Sequence, residues 1–363
     1  MIQFMHQAVR HEASGNDVLL AAFDWCTLGF NGHDSKADLA TLTHEHDRGY
    51  DLATVFTMRA SDGAPIAPVD VSLKTDKRVF STRSEGKIPD LPHIDQVLPA
   101  MRYVRELNLG APVVFVVDRE ADSINHWRQW SQDGHLALVR GDDRTVLREG
   151  KETTLVKTAE ALKRHGLLRD VGPASYRGRR ARLHVVEAEV VLHKPGRRNV
   201  GKKKIEVPGE PLPLRIVVAE VHDMKGRKLA RWMLLTNVSA ETADTAKIAH
   251  WYYYRWRIET MHKLLKSSGH QLESWLQRDG QRIFNKLLIA LAACTAIWRL
   301  ERRHDKQSQE FKELLMELSG RQTKRSKPIT TSGLLAGVWV LQKSLEAHAR
   351  HGPDKLKAML RDS

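Results

Sequence analysis

The stretch Val113-Val-Phe-Val-Val-Asp118 decides the fold class of this 363-residue chain. Five consecutive apolar residues predict a strand, and the Asp that follows them places a carboxylate at the end of that strand. Ala121 to Trp130 then has helical spacing, and His135 to Arg140 predicts a second strand. A strand, a helix and a strand in this order indicate an α/β unit.

Further β signals precede this unit. Val18 to Asp24 predicts a buried strand with a carboxylate at its end. Two short β-type runs, Asp51 to Arg59 and Ile66 to Leu73, are separated by Ser61-Asp62-Gly63, which is typical of a hairpin turn. A helix is predicted from about Ile94 to Leu107. Strands followed by a strand–helix–strand unit indicate a mixed α/β sheet.

The pattern changes after residue 141. The β-branched runs there are Arg182 to His193, Leu214 to Val221 and Leu229 to Thr236, with a basic loop from Lys194 to Lys204. Helical patterns follow: one helix from about Ala240, with Ser239 as its N-cap, to Ser268, a second over Arg282 to His304, and an amphipathic segment over Leu334 to His348. We therefore predict four regions: the first part of a core (1–141), a β-rich insertion (142–238), a helix and the end of the core (239–305), and a helical C-terminal region (306–363).

The chain is strongly basic. It has 58 Lys and Arg residues against 44 Asp and Glu, a formal net charge of +14 and a pI of about 9.8. Such a surplus predicts a polyanionic partner. An acidic membrane surface is the competing interpretation, but we find no signal peptide or amphipathic anchor, and the apolar run Leu287 to Trp298 reads as a buried core helix. Cys26 and Cys294 lie far apart, which fits a reducing cytoplasm.

Three acidic residues have the pattern of a metal site. Asp24 and Asp118 each follow an apolar strand, and Glu259 lies on the predicted helix from Ala240 to Ser268. Two Asp and one Glu suit hard divalent cations such as Mg²⁺. Taken singly, an Asp after a strand is usually a turn-former and a Glu among basic residues is usually part of a solvated ion pair. The metal hypothesis depends on all three occurring together in one basic chain.

The helix carrying Glu259 also carries phosphate-binding groups. Tyr252, Arg255, Glu259 and Lys266 occur at i, i+3, i+7 and i+14. On one continuous helix these positions fall within roughly 60° of one another. The spacing therefore predicts a single stripe that combines a carboxylate with a hydroxyl and two cations.

These residues resemble a known family. The stripe is similar to the Y-(2)-R-(3)-E-(6)-K signature of the DDE transposases of the insertion-sequence-four family. The motif Asp118-Arg-Glu-Ala-Asp122 resembles the one that holds the family's second catalytic Asp, and Asp24 in Phe23-Asp-Trp-Cys-Thr-Leu28 fits the first. The resemblance covers roughly residues 18 to 345. It implies an RNase H-like mixed-sheet catalytic core with a β-rich insertion and a helical C-terminal region.

The resemblance also implies roles for individual residues. Asp24, Asp118 and Glu259 would be catalytic and bind Mg²⁺ or Mn²⁺. The implied DNA contacts are made by Tyr252, Arg255, Lys266, Trp232, Arg140 and Trp256. Trp232 would capture a flipped base, for which a core Trp beginning a strand is an equal alternative. Trp256 would stack on DNA or pack the helix, and Arg140 would contact DNA or be a plain surface arginine.

The function implied is cut-and-paste DNA transposition. The alternatives are a non-catalytic DNA-binding relic and an RNase H-like nuclease that does not join strands. We expect double-stranded DNA as partner, a homodimer in the synaptic complex, no membrane, and a bacterial cytoplasmic location. Relatives carry an N-terminal DNA-binding domain before the first Asp, which we expect this chain to lack because 23 residues precede Asp24. His44-Glu-His46 could suggest zinc, but such a motif in a polar loop favours a surface role.

Overall fold

Strand β1 (Leu19–Gly29) lies at the centre of the fold, between an antiparallel and a parallel neighbour. It pairs antiparallel with β3 (Arg48–Arg59) and parallel with β7 (Val113–Val117). The computed structural model describes residues 1–15, 18–88, 90–200, 203–320, 329–353 and 355. The first five residues of β1 are at most 1% exposed, because this strand has a partner on each side and is covered on both faces.

The remaining elements are given by their bounds. The other strands are β2 (Ala40–Thr41), β4 (Pro65–Lys74), β5 (Val79–Ser81), β6 (Ser84–Ile88), β8 (Leu136–Arg140), β9 (Thr145–Arg148), β10 (Lys151–Thr154), β11 (Arg169–Tyr176), β12 (Arg179–Leu192), β13 (Gly196–Val200), β14 (Lys203–Val207), β15 (Leu212–Asp223) and β16 (Lys228–Thr236). The α-helices in the described ranges are α1 (Ile2–Ala13), α2 (His93–Glu106), α3 (Ile124–Gln132), α4 (Leu155–Arg164), α5 (Thr245–Tyr254), α6 (Trp256–Lys263), α7 (Gly280–Glu301), α8 (Lys306–Leu318) and α9 (Thr331–His351).

One mixed sheet connects most of these strands. Its order is β10-β9-β12-β15-β16-β8-β7-β1-β3-β4-β5-β6, with β11 paired to β12 and β2 to β3. The strands β1, β7 and β8 are parallel, whereas β3 and β4 run antiparallel to their neighbours. The predicted mixed α/β class is confirmed, and the sheet is consistent with an RNase H-like core.

The predicted β-rich region continues this sheet. Strand β16 pairs antiparallel with β8, so β9, β10, β12 and β15 extend the same hydrogen-bonded surface. The prediction of a basic loop from Lys194 to Lys204 is wrong. Most of this segment lies in the hairpin of β13 and β14. Arg198 lies opposite Ile205 in this antiparallel pair. The division into four regions stays a prediction.

Helix α7 packs inside the protein against β4, α1 and α9. It is long and apolar enough to cross a membrane by length and composition, and 56% of that apolar window is buried here. The predicted helix began at Arg282 and ended at His304. The observed helix begins two residues earlier, because the Asp279 side chain accepts a hydrogen bond from the Arg282 amide and caps it. Its packing fits the expected core helix.

Candidate active site

Asp24 and Asp118 lie side by side on neighbouring strands. The last residues paired between β1 and β7 are Phe23 and Val117. Each Asp is the next residue along the chain, Asp24 within β1 and Asp118 directly after β7. Neighbouring strands are about 4.8 Å apart, so the two carboxylates occupy the same level of the sheet. The prediction that Asp24 ends its strand is wrong. Strand β1 continues to Gly29 because β3 supplies partners along its whole length.

Asp118 is held at the start of a short 3₁₀ turn, Arg119–Ala121. Its Oδ1 accepts hydrogen bonds from the Arg119 amide at 2.8 Å and from the Tyr252 hydroxyl at 2.9 Å. Burial raises the pKa of Asp118, but the positive charge of Arg255 and these donors outweigh it, so the net shift of the pKa is downward. The carboxylate is therefore ionised at neutral pH.

Arg255 lies among the three acidic residues. Its Nη1 is 3.5 Å from Asp24 Oδ2, and its Nη2 is 3.1 Å from both Asp118 Oδ2 and Glu259 Oε1. The Arg255 side chain is only 6% exposed. Within the described part of the chain its Nε has no hydrogen-bond partner. One buried guanidinium thus contacts carboxylates from β1, from the turn after β7 and from α6.

Arg255 also marks a break in the helix that the sequence predicts from Ala240 to Ser268. Helix α5 is capped by Asp244 rather than Ser239 and ends at Tyr254. The Arg255 amide donates to the Tyr252 carbonyl, three residues back, and a π turn over Leu264–Ser268 follows α6. These tighter and wider turns change the helical phase. The predicted stripe is therefore confirmed for Tyr252, Arg255 and Glu259, which meet around Asp118, and wrong for Lys266. It is divided between α5, α6 and the π turn.

Asp24 has a different environment from Asp118. Burial raises its pKa to about 6, and the charges of Glu259 and Asp118 add to that rise, while Arg255 opposes it. Its Oδ1 accepts a hydrogen bond from the neighbouring Trp25 amide at 3.0 Å. The pKa of Asp24 is therefore higher than that of Asp118, so Asp24 is the weaker acid.

The three carboxylates fit a divalent cation by their chemistry. Among the residues described, no group of three or more His, Cys, Asp and Glu side chains is arranged to hold a metal ion. The reason is visible in the distances, since the oxygens of Asp24, Asp118 and Glu259 are spaced around the Arg255 guanidinium. Oxygen donors of this kind suit Mg²⁺ and Mn²⁺. In this structure the Arg255 guanidinium is the cation that these oxygens surround.

Lys266 lies apart from the carboxylate cluster. Its Nζ donates to the Thr27 carbonyl at 2.9 Å and contacts Glu273 Oε1 at 2.9 Å. Glu273 in turn accepts a hydrogen bond from the Gly29 amide. Lys266 thus contacts the far end of β1, beyond Asp24. His262 is buried, and burial, with Lys266 and Arg255 nearby, lowers its pKa to about 4.

The remaining predicted residues lie on both sides of Tyr252. Arg140 ends β8, and its charge acts on Asp118 and Tyr252. The Trp232 ring, on β16, lies 5.6 Å from the Tyr252 ring. Trp256 is 53% exposed. Both tryptophans line a cavity of about 150 Å³ whose other walls are Ser175, Tyr176, Arg177, Tyr253, Tyr254, Arg257 and Thr260.

The sequence of this region matches one family model. The model is described as "Transposase DDE domain" and matches residues 71–296, more than half of the chain. The chain belongs to the transposase DDE domain family. Asp118 and Glu259 lie within the match, and Asp24 lies before it.

One solved structure similar to this DDE-domain chain is the cryo-EM structure of the piggyBac transposase synaptic complex with hairpin DNA. The identity is 12% and the TM-score 0.36, over 97% of this chain and 58% of that chain. The DDE-domain chain thus spans less than two thirds of that transposase chain. No curated protein matches the sequence.

Four side chains that sequence reasoning missed lie near the cluster: His93, Asp51, Glu120 and Glu273. His93 contacts Asp51 at 2.7 Å and Glu120 at 2.6 Å, and Glu273 contacts Lys266. Glu120 belongs to the Asp118–Asp122 motif, so that motif could have identified it. His93 and Asp51 have no local signal, because they lie 42 residues apart. The Glu273 contact to the Gly29 amide spans 244 residues and has no local signal either.

Proposed function

We propose that this chain is a cut-and-paste DNA transposase related to the insertion-sequence-four family. It would hydrolyse a phosphodiester bond at the end of its element and join the freed 3′-hydroxyl to target DNA. The observation that carries the proposal is the convergence of Asp24, Asp118 and Glu259, from two strands and a helix, on one cationic position. A DNA hairpin between the two steps is expected by family resemblance.

Asp24, Asp118 and Glu259 would hold Mg²⁺ or Mn²⁺. When bound, such ions would lower the pKa of an attacking water and stabilise the leaving oxygen. The protein's part is to present ionised oxygens at a fixed separation. The strand register holds Asp24 and Asp118 level, and the Tyr252 hydroxyl orients Asp118. Arg255 must turn away from the carboxylates when they bind a cation, which would free its guanidinium for a DNA phosphate.

The DNA would lie across the surface around Tyr252. Arg140, Arg255 and Lys266 would contact phosphates, and Tyr252 would contact the same backbone. Trp232 and Trp256 line a small aromatic cavity that suits stacking on an unpaired base. The net charge of +14 supports this polyanionic partner.

The deciding experiment is a Mn²⁺-dependent cleavage assay on DNA that carries the inverted repeats flanking the gene. Wild type should nick and then transfer strands, while Asp118→Asn and Glu259→Gln should lose at least a hundredfold in rate. Glu313→Gln replaces an exposed carboxylate on α8 with a carboxamide. It is the matched control and should cleave normally. DNA binding without cleavage would favour the relic, and cleavage without strand transfer would favour the nuclease. Unimpaired cleavage by Glu259→Gln would refute the site.

A homodimer on DNA belongs to the same proposal. Helix α9 exposes Trp339, Val340 and Leu345, which are 48%, 41% and 61% exposed. Such side chains on one helix suit contact with a second copy. Light scattering after gel filtration, with and without inverted-repeat DNA, should show two chains per complex. Trp339→Glu should reduce that mass to one chain, whereas Lys343→Glu on the same helix should not.

A further inference from the structure

His93 contacts two carboxylates at once. It is the first residue of α2; its Nε2 lies 2.7 Å from Asp51 Oδ2 and its Nδ1 lies 2.6 Å from Glu120 Oε1. Ionised carboxylates only accept hydrogen bonds, so both ring nitrogens must donate and the ring must carry a positive charge. The hydrogen bond to Asp51, reinforced by Glu120, raises the pKa of His93 to about 9. Both contacts therefore exist at neutral pH.

The partners of His93 belong to the elements that carry the two candidate aspartates. Asp51 lies on β3 directly opposite Thr27 of β1, three residues beyond Asp24. Glu120 lies in the 3₁₀ turn that begins at Asp118. His93 thus connects β3, the strand paired with the Asp24 strand, to the Arg119–Ala121 turn that follows Asp118.

An aromatic contact completes the connection. The Trp25 ring stacks on the His93 ring at 4.7 Å between centroids, with an interplanar angle of 8°. Trp25 follows Asp24, and its amide donates to the Asp24 carboxylate. Its indole Nε1 also donates to Gln96 Oε1 on α2, at 3.3 Å. Helix α2 therefore holds the residue beside Asp24 at two points.

We propose that His93 is a positioning residue that sets the separation of the Asp24 and Asp118 carboxylates and thereby the metal affinity of the site. The proposal rests on the proposed function. His93 touches neither aspartate and acts through Trp25 on one side and Glu120 on the other. Removing its ring nitrogens leaves the Arg119–Ala121 turn without its link to β3. Residues that orient metal ligands typically change metal affinity by 10- to 100-fold when replaced.

The test compares His93→Phe with wild type. Phe keeps an aromatic ring against Trp25 but donates to neither carboxylate. Calorimetric titration of the DNA-free protein should show the Mn²⁺ Kd rising about tenfold. Cleavage should need proportionally more Mn²⁺, with kcat largely restored at saturation. His193→Phe, which removes a histidine contact to Glu152 in the β-rich region, is the matched control and should leave the Kd unchanged.

Two further measurements separate positioning from general stability. Glu120→Ala should weaken Mn²⁺ binding similarly, and the double variant with His93→Phe should be no weaker than the poorer single variant. Fully additive losses would contradict action through Glu120. His93→Gln, which can donate to only one carboxylate, should show an intermediate Kd and serves if His93→Phe does not fold.

Crystal structures of metal-free wild type and His93→Phe decide the proposal independently of activity. The variant should show a displaced Arg119–Ala121 turn and a changed distance between the Asp24 and Asp118 carboxylates. An unmoved turn, or an unchanged Mn²⁺ Kd, would overturn the positioning role. A wild type that binds no Mn²⁺ would overturn the proposed function instead, and the turn would still show whether His93 positions it.

Discussion

Arg255 Nη2 lies 3.1 Å from Glu259 Oε1, one helical turn further along the chain, and is equally close to Asp118. The Arg255 guanidinium contacts carboxylate oxygens that a metal ion would also bind, so Arg255 opposes metal binding to the DNA-free protein. We predict that Arg255→Gln binds Mn²⁺ about tenfold more tightly, equivalent to about 1.4 kcal/mol. Calorimetric titration without DNA measures this. Weaker binding by Arg255→Gln would show that the arginine supports the metal rather than replacing it.

The same substitution should destabilise the metal-free fold. Removing one partner of a fully buried ion pair costs roughly 3–5 kcal/mol; here about 2 kcal/mol is expected because the Glu259 side chain is 40% exposed. Urea unfolding in EDTA measures the loss, and Mn²⁺ should reverse much of it. Arg102→Gln, which removes a half-exposed surface ion pair with Asp133, should cost clearly less, because solvent screens that pair. Equal losses of stability in Arg255→Gln and Arg102→Gln would contradict a stabilising role for the buried Arg255 ion pairs.

Asp24 should make metal binding pH-dependent near pH 6. Because burial raises its pKa to about 6, Asp24 is largely protonated at pH 5 and must release that proton when a cation binds. We expect about 0.9 proton released per Mn²⁺ at pH 5 and about 0.1 at pH 7, measured by titration in buffers of different ionisation enthalpy. Release that stays near zero at pH 5 would contradict the raised pKa.

The raised pKa of Asp24 also makes the free energy of unfolding depend on pH. Between pH 4 and pH 6 the folded protein keeps a proton on Asp24 that the unfolded chain has released. The contribution of Asp24 to the free energy of unfolding therefore decreases as pH rises through this range. Asp24→Asn should remove that decrease, which urea unfolding at pH 4.5 and 6.5 in EDTA would detect.

Tyr252→Phe should perturb Asp118 without changing the surrounding packing. It removes the hydroxyl that donates to Asp118 at 2.9 Å, and we expect a stability loss of about 1 kcal/mol together with a rise in the pKa of Asp118. Tyr253→Phe is the matched control, because that hydroxyl donates to the Ser175 carbonyl on an exposed surface. The control should lose less stability and leave the pKa of Asp118 unchanged, as followed by NMR titration.

Trp256→Ala should weaken binding to DNA that contains an unpaired base near its end. Stacking of one base on an aromatic side chain contributes roughly 1–3 kcal/mol, so about a tenfold rise in Kd is expected. The rise should be smaller for fully paired DNA of the same length. Phe311→Ala, an exposed aromatic on α8, is the control. A similar loss in both variants, measured by fluorescence anisotropy, would remove Trp256 from the DNA surface.

Local patterns predicted the strands near the site but not all of their ends. The apolar run of β7 and the turn between β3 and β4 depend on neighbouring residues, and the structure confirms both. The end of β1 depends on a distant partner. Because β3 pairs with it as far as Gly29, Asp24 lies inside a strand, where a polar residue alone would indicate an end.

The choice of partners could not be predicted from the sequence. The guanidinium of Arg255 suits a phosphate and a carboxylate equally well, and only the folded chain places it among Asp24, Asp118 and Glu259. The helix break at Arg255 could not be predicted either, because no Pro or Gly occurs there. His93 is similar, since its partners lie 42 and 27 residues away along the chain.

The pairing of Phe23 with Val117 also bears on which changes in length the chain can tolerate. A one-residue deletion between Leu19 and Phe23 would shift Asp24 by about 3.3 Å along the strand and turn its side chain to the opposite face of the sheet. The same deletion in the exposed turn between β15 and β16 would leave both aspartates in place. Surviving copies of the gene should therefore differ in length at that turn and almost never inside β1 or β7.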